Sequence, residues 1–233
     1  MPDRMNDELE RRLDAWVASQ SADLSPDTQE KIKAMLATSL QPVKPIPPSG
    51  RLVLVFLGVF AVCALALIAI MAKLGFQLGM GAPVASITAI VAVGAILFAC
   101  TLAWQIVPAS RLVFPFWLAL AVTGLGVVGG MASLFPWRTM QNFTAEGWPC
   151  AVMELAIAIL AAAIFWLLAR RGAIFPTVSL GAGIGGLAVF LAMIVVQTQC
   201  MFQQAPHLLV WHAGTAAVFI ALGSVTAVAL GRA

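Results

Sequence analysis

The chain has 233 residues, of which 61% are apolar and 10% charged, and its formal net charge is +3. A soluble domain carries about 25% charged residues, so a water-facing shell cannot be assembled from this composition. The small basic excess is scattered over loop positions and forms no stripe, which excludes a nucleic-acid-binding surface and leaves lipid and protein as the partners to expect.

Residues 1–41 form a tail that holds eight of the ten acidic residues: Asp3, Asp7, Glu8, Glu10, Asp14, Asp23, Asp27 and Glu30. Its periodicity predicts two short helices. In the first, Leu9, Leu13, Trp16 and Val17 recur at helical spacing and make one narrow apolar stripe. The second opens with Ser25 as N-cap and Pro26 at the first helical position, with Asp27 and Glu30 near its positive end. Ile32, Met35, Leu36 and Leu40 make its apolar face. Helices this short cannot bury a core alone, so each stripe needs a partner surface. Residues 42–50 are a proline-rich linker, Pro42-Val43-Lys44-Pro45-Ile46-Pro47-Pro48, whose extended polyproline-like form makes it a stiff spacer.

Residues 51–233 predict six transmembrane helices, since about 20 apolar helical residues cross the hydrocarbon core. They cover residues 52–72, 84–107, 112–134, 150–169, 173–197 and 208–230. Arg51 and Lys73 bound the first, Pro108 and Arg111 end the second, and the cluster Phe135-Pro136-Trp137-Arg138 ends the third. Arg170 and Arg171 close the fourth, and Pro176 falls in the first turn of the fifth. The fold class expected is an all-α membrane protein, a six-helix bundle behind a short helical cytoplasmic tail. No secretory signal peptide is expected, because the first apolar run starts near Leu52, behind a charged segment too long for an n-region.

Basic residues near the span ends set the orientation. With the N-terminus inside, the cytoplasmic side holds Lys44, Arg51, Arg111, Arg170, Arg171 and Arg232, and the far side holds Lys73 and Arg138. Both termini are therefore expected in the cytoplasm. Small residues at spacing four, Gly126 with Gly130, Gly181 with Gly185 and Ala182 with Gly186, suit close helix packing.

Under this topology Cys150 and Cys200 lie on the same, outer side. If that side is a bacterial periplasm, a disulfide can persist there; it would close a loop of about 50 residues, worth about 4 kcal/mol in the chain-entropy picture. Glu154 sits one helical turn below Cys150, and an ionisable residue inside a span marks a function by default. With His207 and His212 near the outer end of the sixth helix, these residues are metal-ligand types, although their spacing matches no ligand motif. A metal site at Glu154, His207 and His212, a thiol-redox site at Cys150 and Cys200, and a structural role for the polar groups all remain open at this point. Cys63 and Cys100 lie within apolar helices as packing residues, and Asn142-Phe143-Thr144 matches a glycosylation acceptor.

No glycine-rich phosphate loop, nucleophile elbow or paired carboxylates occur, so neither an enzyme nor a bound cofactor is expected. A small transporter or channel is the rival class, resting on Glu154 and the glycine-rich fifth helix. It should carry several intramembrane ionisable residues and an internal repeat; the chain offers one clear candidate and no convincing repeat.

The linker followed by Arg51 and a first span resembles the N-terminal signature of NrsF-type membrane anti-sigma factors. Gly147-Trp148-Pro149-Cys150, Arg170-Arg171-Gly172-Ala173, Pro176, the run from Gly181 to Gly186, Cys200 and Trp211-His212-Ala213-Gly214 are similar in the same order. Two departures are a longer tail and Trp211-His212 where the family pattern has tyrosine. The resemblance implies a multi-pass protein of the bacterial inner membrane whose cytoplasmic tail sequesters an extracytoplasmic-function sigma factor. Leu9, Leu13, Trp16, Ile32, Met35, Leu36 and Leu40 are then the candidate sigma-binding residues, acting as helix-in-groove anchors. It also implies that Cys150 and Cys200 are the outer pair that senses oxidative or metal stress, with a metal ion as a candidate signal.

Overall fold

The computed structural model describes residues 48–76, 78–79, 81–107, 115–138, 141–170 and 177–230, with Arg11, Arg12, Ser25, Asp27, Thr28, Glu30, Lys31, Ala34 and Met35 of the tail. The chain divides into two compact units, residues 1–45 and 46–233. In the first unit, all the described residues except Ser25 are helical. The Ser25 hydroxyl accepts the Thr28 amide at 3.3 Å, the N-cap arrangement expected from the sequence. Lys31 Nζ meets Asp27 Oδ2 at 2.8 Å one turn away. Met35 is exposed, while Leu9, Leu13, Trp16, Ile32, Leu36, Leu40 and the linker through Pro47 lie outside the described residues.

The second unit is built of six helices long and apolar enough to cross a membrane, with no strand among the described residues. They are α1 (Ser49–Lys73), α2 (Ala82–Ile106), α3 (Phe116–Leu134), α4 (Phe143–Ala169), α5 (Val178–Gln197) and α6, which runs in three pieces, Ala205–His207, Leu208–Ala213 and Gly214–Leu230. Apolar side chains cover these helices on every face, as lipid outside and packing inside both require.

Several helix starts differ from the apolar runs. α3 begins after Pro115, and α5 begins after Thr177, whose side chain accepts the Leu180 amide at 3.1 Å. α4 begins at Phe143, well before Cys150, and carries Pro149 inside it. A proline is a sequence signal for a helix start, but here it costs one hydrogen bond near the end of a helix whose first residue, Phe143, packs on Trp211 with ring centres 5.7 Å apart.

α5 is the central element: 89% of its span is buried, against 17% for α1 and 22% for α3. α1, α2, α4 and α6 all pack on it, and α3 packs on α2 and on the first turns of α6. Lipid gives helices no hydrophobic reason to associate, so close approach of small residues supplies the contact. A Cβ at Gly181 would collide with the backbone of Gly223, and one at Gly186 with the ring of Phe98. Phe98 in turn stacks edge-on against Phe116 and Phe190, with centres 5.7 and 5.2 Å away.

Polar side chains are not spread evenly through this interior. Among the described residues, apart from Thr101 and Thr123, the buried polar and charged side chains are Glu154, Gln197, Thr198, Gln199, His207 and His212. All belong to the end of the bundle where α4 starts, α5 stops and α6 starts.

Candidate functional site

Three segments deliver the side chains. Cys150 lies two turns into α4, and Glu154, one turn further along the same face, has no solvent exposure. The second segment is the turn that follows α5, where the amides of Gln199 and Cys200 donate to the carbonyls of Val196 and Gln197 at 3.1 and 3.3 Å. Two main-chain bonds fasten this connection to its neighbours: Gly79 N–H to Thr198 O at 2.8 Å, and Ala205 N–H to Pro136 O at 3.0 Å. The α1–α2, α3–α4 and α5–α6 connections thus meet at one end.

The third segment is the head of α6. Leu208–Ala213 is a π-helix, closed by the Gly214 amide donating to Leu209 O, five residues back. In an α-helix, residues five apart point about 140° away from each other at 3.6 residues per turn. A wider turn brings them round to one face, and π segments recur at functional sites for that reason. His207 and His212 accordingly face each other, with ring centres 5.6 Å apart. Gly147 makes room for this head, since a Cβ there would overlap the Trp211 indole.

Cys150, Cys200, His207 and His212 converge so that one ligand atom from each lies within 4.8 Å of the others. The two sulfurs, from residues 50 apart in the chain, are 4.0 Å apart, and both cysteines are free thiols. His207 Nε2 is 3.4 Å from Cys200 Sγ. His212 Nδ1 meets Glu154 Oε2 at 2.7 Å, with both side chains fully buried. Other polar atoms of the cluster are buried with no partner: Glu154 Oε1, His207 Nδ1, His212 Nε2 and the Trp211 indole nitrogen. Buried polar atoms are rarely left so, and each costs about 1–3 kcal/mol.

The Cys200 thiol, in the connection between spans, is pushed above the ordinary thiol range, first by its hydrogen bond with Cys150 and then by burial. Chemically the cluster can do two things. Its thiols can give up two protons and two electrons to a two-electron oxidant and form a disulfide, or release two protons to the medium and bind a divalent ion as thiolates.

The five candidates Cys150, Glu154, Cys200, His207 and His212 are therefore neighbours at one end of the bundle. The polar Glu154 on which a transporter would rest is engaged by His212. Cys63 and Cys100 are half-buried in α1 and α2, and Asn142 is the residue preceding α4. The sequence places the histidines at the same end as the thiols as metal-ligand types, but their spacing matches no ligand motif, because the π turn that joins them has no signature in residue types. Gly147 and Trp211 were visible only as parts of a motif.

No curated protein and no solved structure matches the chain. Over residues 36–232 it matches the family described as "NrsF: Negative regulator of sigma F". That match takes in all six spans and every residue of the thiol and imidazole cluster, and the chain belongs to the NrsF family of negative regulators of a sigma factor.

Proposed function

We propose that the chain resides in the bacterial inner membrane with both termini in the cytoplasm. Its tail, residues 1–41 carried on the linker of residues 42–50, sequesters an extracytoplasmic-function sigma factor. Redox or metal stress read at Cys150 and Cys200 on the outer side releases it. The tail stripes Leu9/Leu13/Trp16 and Ile32/Met35/Leu36/Leu40 are the anchors, docking as helices in a groove.

One observation carries the sensing half: two thiols 50 residues apart meet at 4.0 Å, at the end of the bundle opposite the start of α1. Cys200 follows directly from α5, and α5 packs on α1, the helix that continues from the linker. A change at the thiols biases a bundle with two packings, and α1 transmits it.

The experiment is capture of sigma factors from the chain's own genome by the full-length protein in detergent. One sigma factor should be retained. Trp16→Ala with Leu36→Ala should weaken retention at least about tenfold, as loss of two anchors does. Cys150→Ser and Cys200→Ser should bind normally and fail to release under oxidant. Retention of no sigma factor by the intact chain sinks the proposal.

A further inference from the structure

Besides its two thiols, the cluster contains two imidazoles and a carboxylate, and their arrangement is more specific than a disulfide needs. We propose that Cys150, Cys200, His207 and His212 form a tetrahedral site for a zinc-class divalent ion, with Glu154 as the outer carboxylate that orients His212.

Two of the separations match that ion, and the four ligand atoms all lie within 4.8 Å of one another, close enough to draw in around it. Metal–sulfur bonds of about 2.3 Å and metal–nitrogen bonds of about 2.0–2.1 Å place the two sulfurs about 3.8 Å apart and a sulfur and a nitrogen about 3.5 Å apart. The corresponding separations here are 4.0 Å between Cys150 Sγ and Cys200 Sγ and 3.4 Å between Cys200 Sγ and His207 Nε2. Two sulfurs and two nitrogens in a tetrahedron are the donor set of zinc.

The nitrogens are assigned by what occupies the other side of each ring. His212 Nδ1 is held by Glu154 Oε2 at 2.7 Å, which leaves Nε2, buried and unpartnered, as the ligating atom. Metal-bound histidines regularly give their second nitrogen to a carboxylate, which fixes the tautomer and the ring. That accounts for a charged residue in a span, where an acid is expensive. His207 ligates through Nε2, the atom already beside Cys200.

Binding displaces one proton from each thiol, so the ion's two positive charges meet two thiolates and the ion with its four ligands is neutral. The Glu154 carboxylate beside it keeps one negative charge, which faces the His212 Nδ1–H at 2.7 Å. The ion would clamp the start of α4, the turn after α5 and the start of α6.

This site deepens the sensor assignment of Cys150 and Cys200, and its regulatory meaning rests on that assignment. Metal binding itself is measured without any sigma factor, so its failure and the failure of sigma capture are separate results. The test uses the full-length protein in detergent, reduced, stripped with chelator and titrated with cobalt(II) and then zinc(II). One cobalt per chain should bind, with the intense visible bands of tetrahedral coordination and a thiolate-to-cobalt charge-transfer band, both erased by one equivalent of zinc. Cys150→Ser and Cys200→Ser should each remove about half of the charge-transfer intensity and the double variant all of it, with helicity unchanged. His212→Ala should lose the tetrahedral bands, and Glu154→Gln should keep them with affinity lowered about 10–100-fold. Absence of stoichiometric cobalt in folded wild-type protein, or a charge-transfer band that survives the double serine variant, overturns the site.

Discussion

The indole of Trp211 occupies the space that a side chain at Gly147 would need, so α4 and the π turn of α6 meet backbone against ring. Gly147→Ala should therefore push Trp211 away and carry the adjoining His212 with it. The expected cost is about 1–3 kcal/mol, typical of overpacking, read as a lower midpoint of thermal unfolding in detergent. Trp211→Leu in the same chain should recover much of that loss. Equal midpoints for Gly147→Ala and wild type would remove the steric role.

Thiol pairing is expected to be selective. A mild two-electron oxidant should link Cys150 to Cys200, whose sulfurs already lie 4.0 Å apart and need about 2 Å of further closure to reach bonding distance. Peptide mapping without reduction should recover that bridge with Cys63 and Cys100 still free. Scrambled bridges in folded protein would contradict the arrangement.

Gly181 and Gly223 make a closer contact than any side chain permits, with a Cβ on either meeting the other's backbone. Gly181→Val should separate α5 from α6 and destabilise the bundle by about 1–3 kcal/mol. Gly58, whose Cβ would meet nothing within 4 Å, is the control: Gly58→Ala should be neutral or gain up to about 1 kcal/mol from helix propensity. Indistinguishable unfolding of the two variants would count against α5 as the packing centre.

Orientation is open to direct measurement. Cys200 itself is buried, at 5% exposure, whereas its neighbour Met201 is 86% exposed. An impermeant thiol reagent should tag Met201→Cys on intact cells. Gly50→Cys, exposed in the first turn of α1, should be tagged only after lysis. The opposite pattern would invert the proposed topology.

Length and hydrophobicity alone made the six spans legible, because lipid leaves the backbone few alternatives. Their limits were less so. Apolar runs do not register that Thr177 caps α5 or that α4 continues back through Pro149 to Phe143, since both depend on hydrogen bonds and on packing against Trp211. Glu154 under Cys150 was readable, being four residues away on one helix. The approach of His207 and His212 was not, because spacing five is a poor match to 3.6 residues per turn and only the π turn reconciles it. The tail's apolar stripes are a reading from periodicity alone, and of their residues proposed as anchors Met35 alone falls among the described residues.

The bonds from Gly79 to Thr198 and from Ala205 to Pro136 run between main-chain atoms. Amide and carbonyl groups are common to nearly every residue, so the lacing itself does not depend on which side chains these connections carry. Proline at 79 or 205 is the exception, because it has no hydrogen to donate. The rim is thus held by the path of the chain, and the chemistry that depends on particular residues is confined to the sulfur and imidazole gathered beneath it.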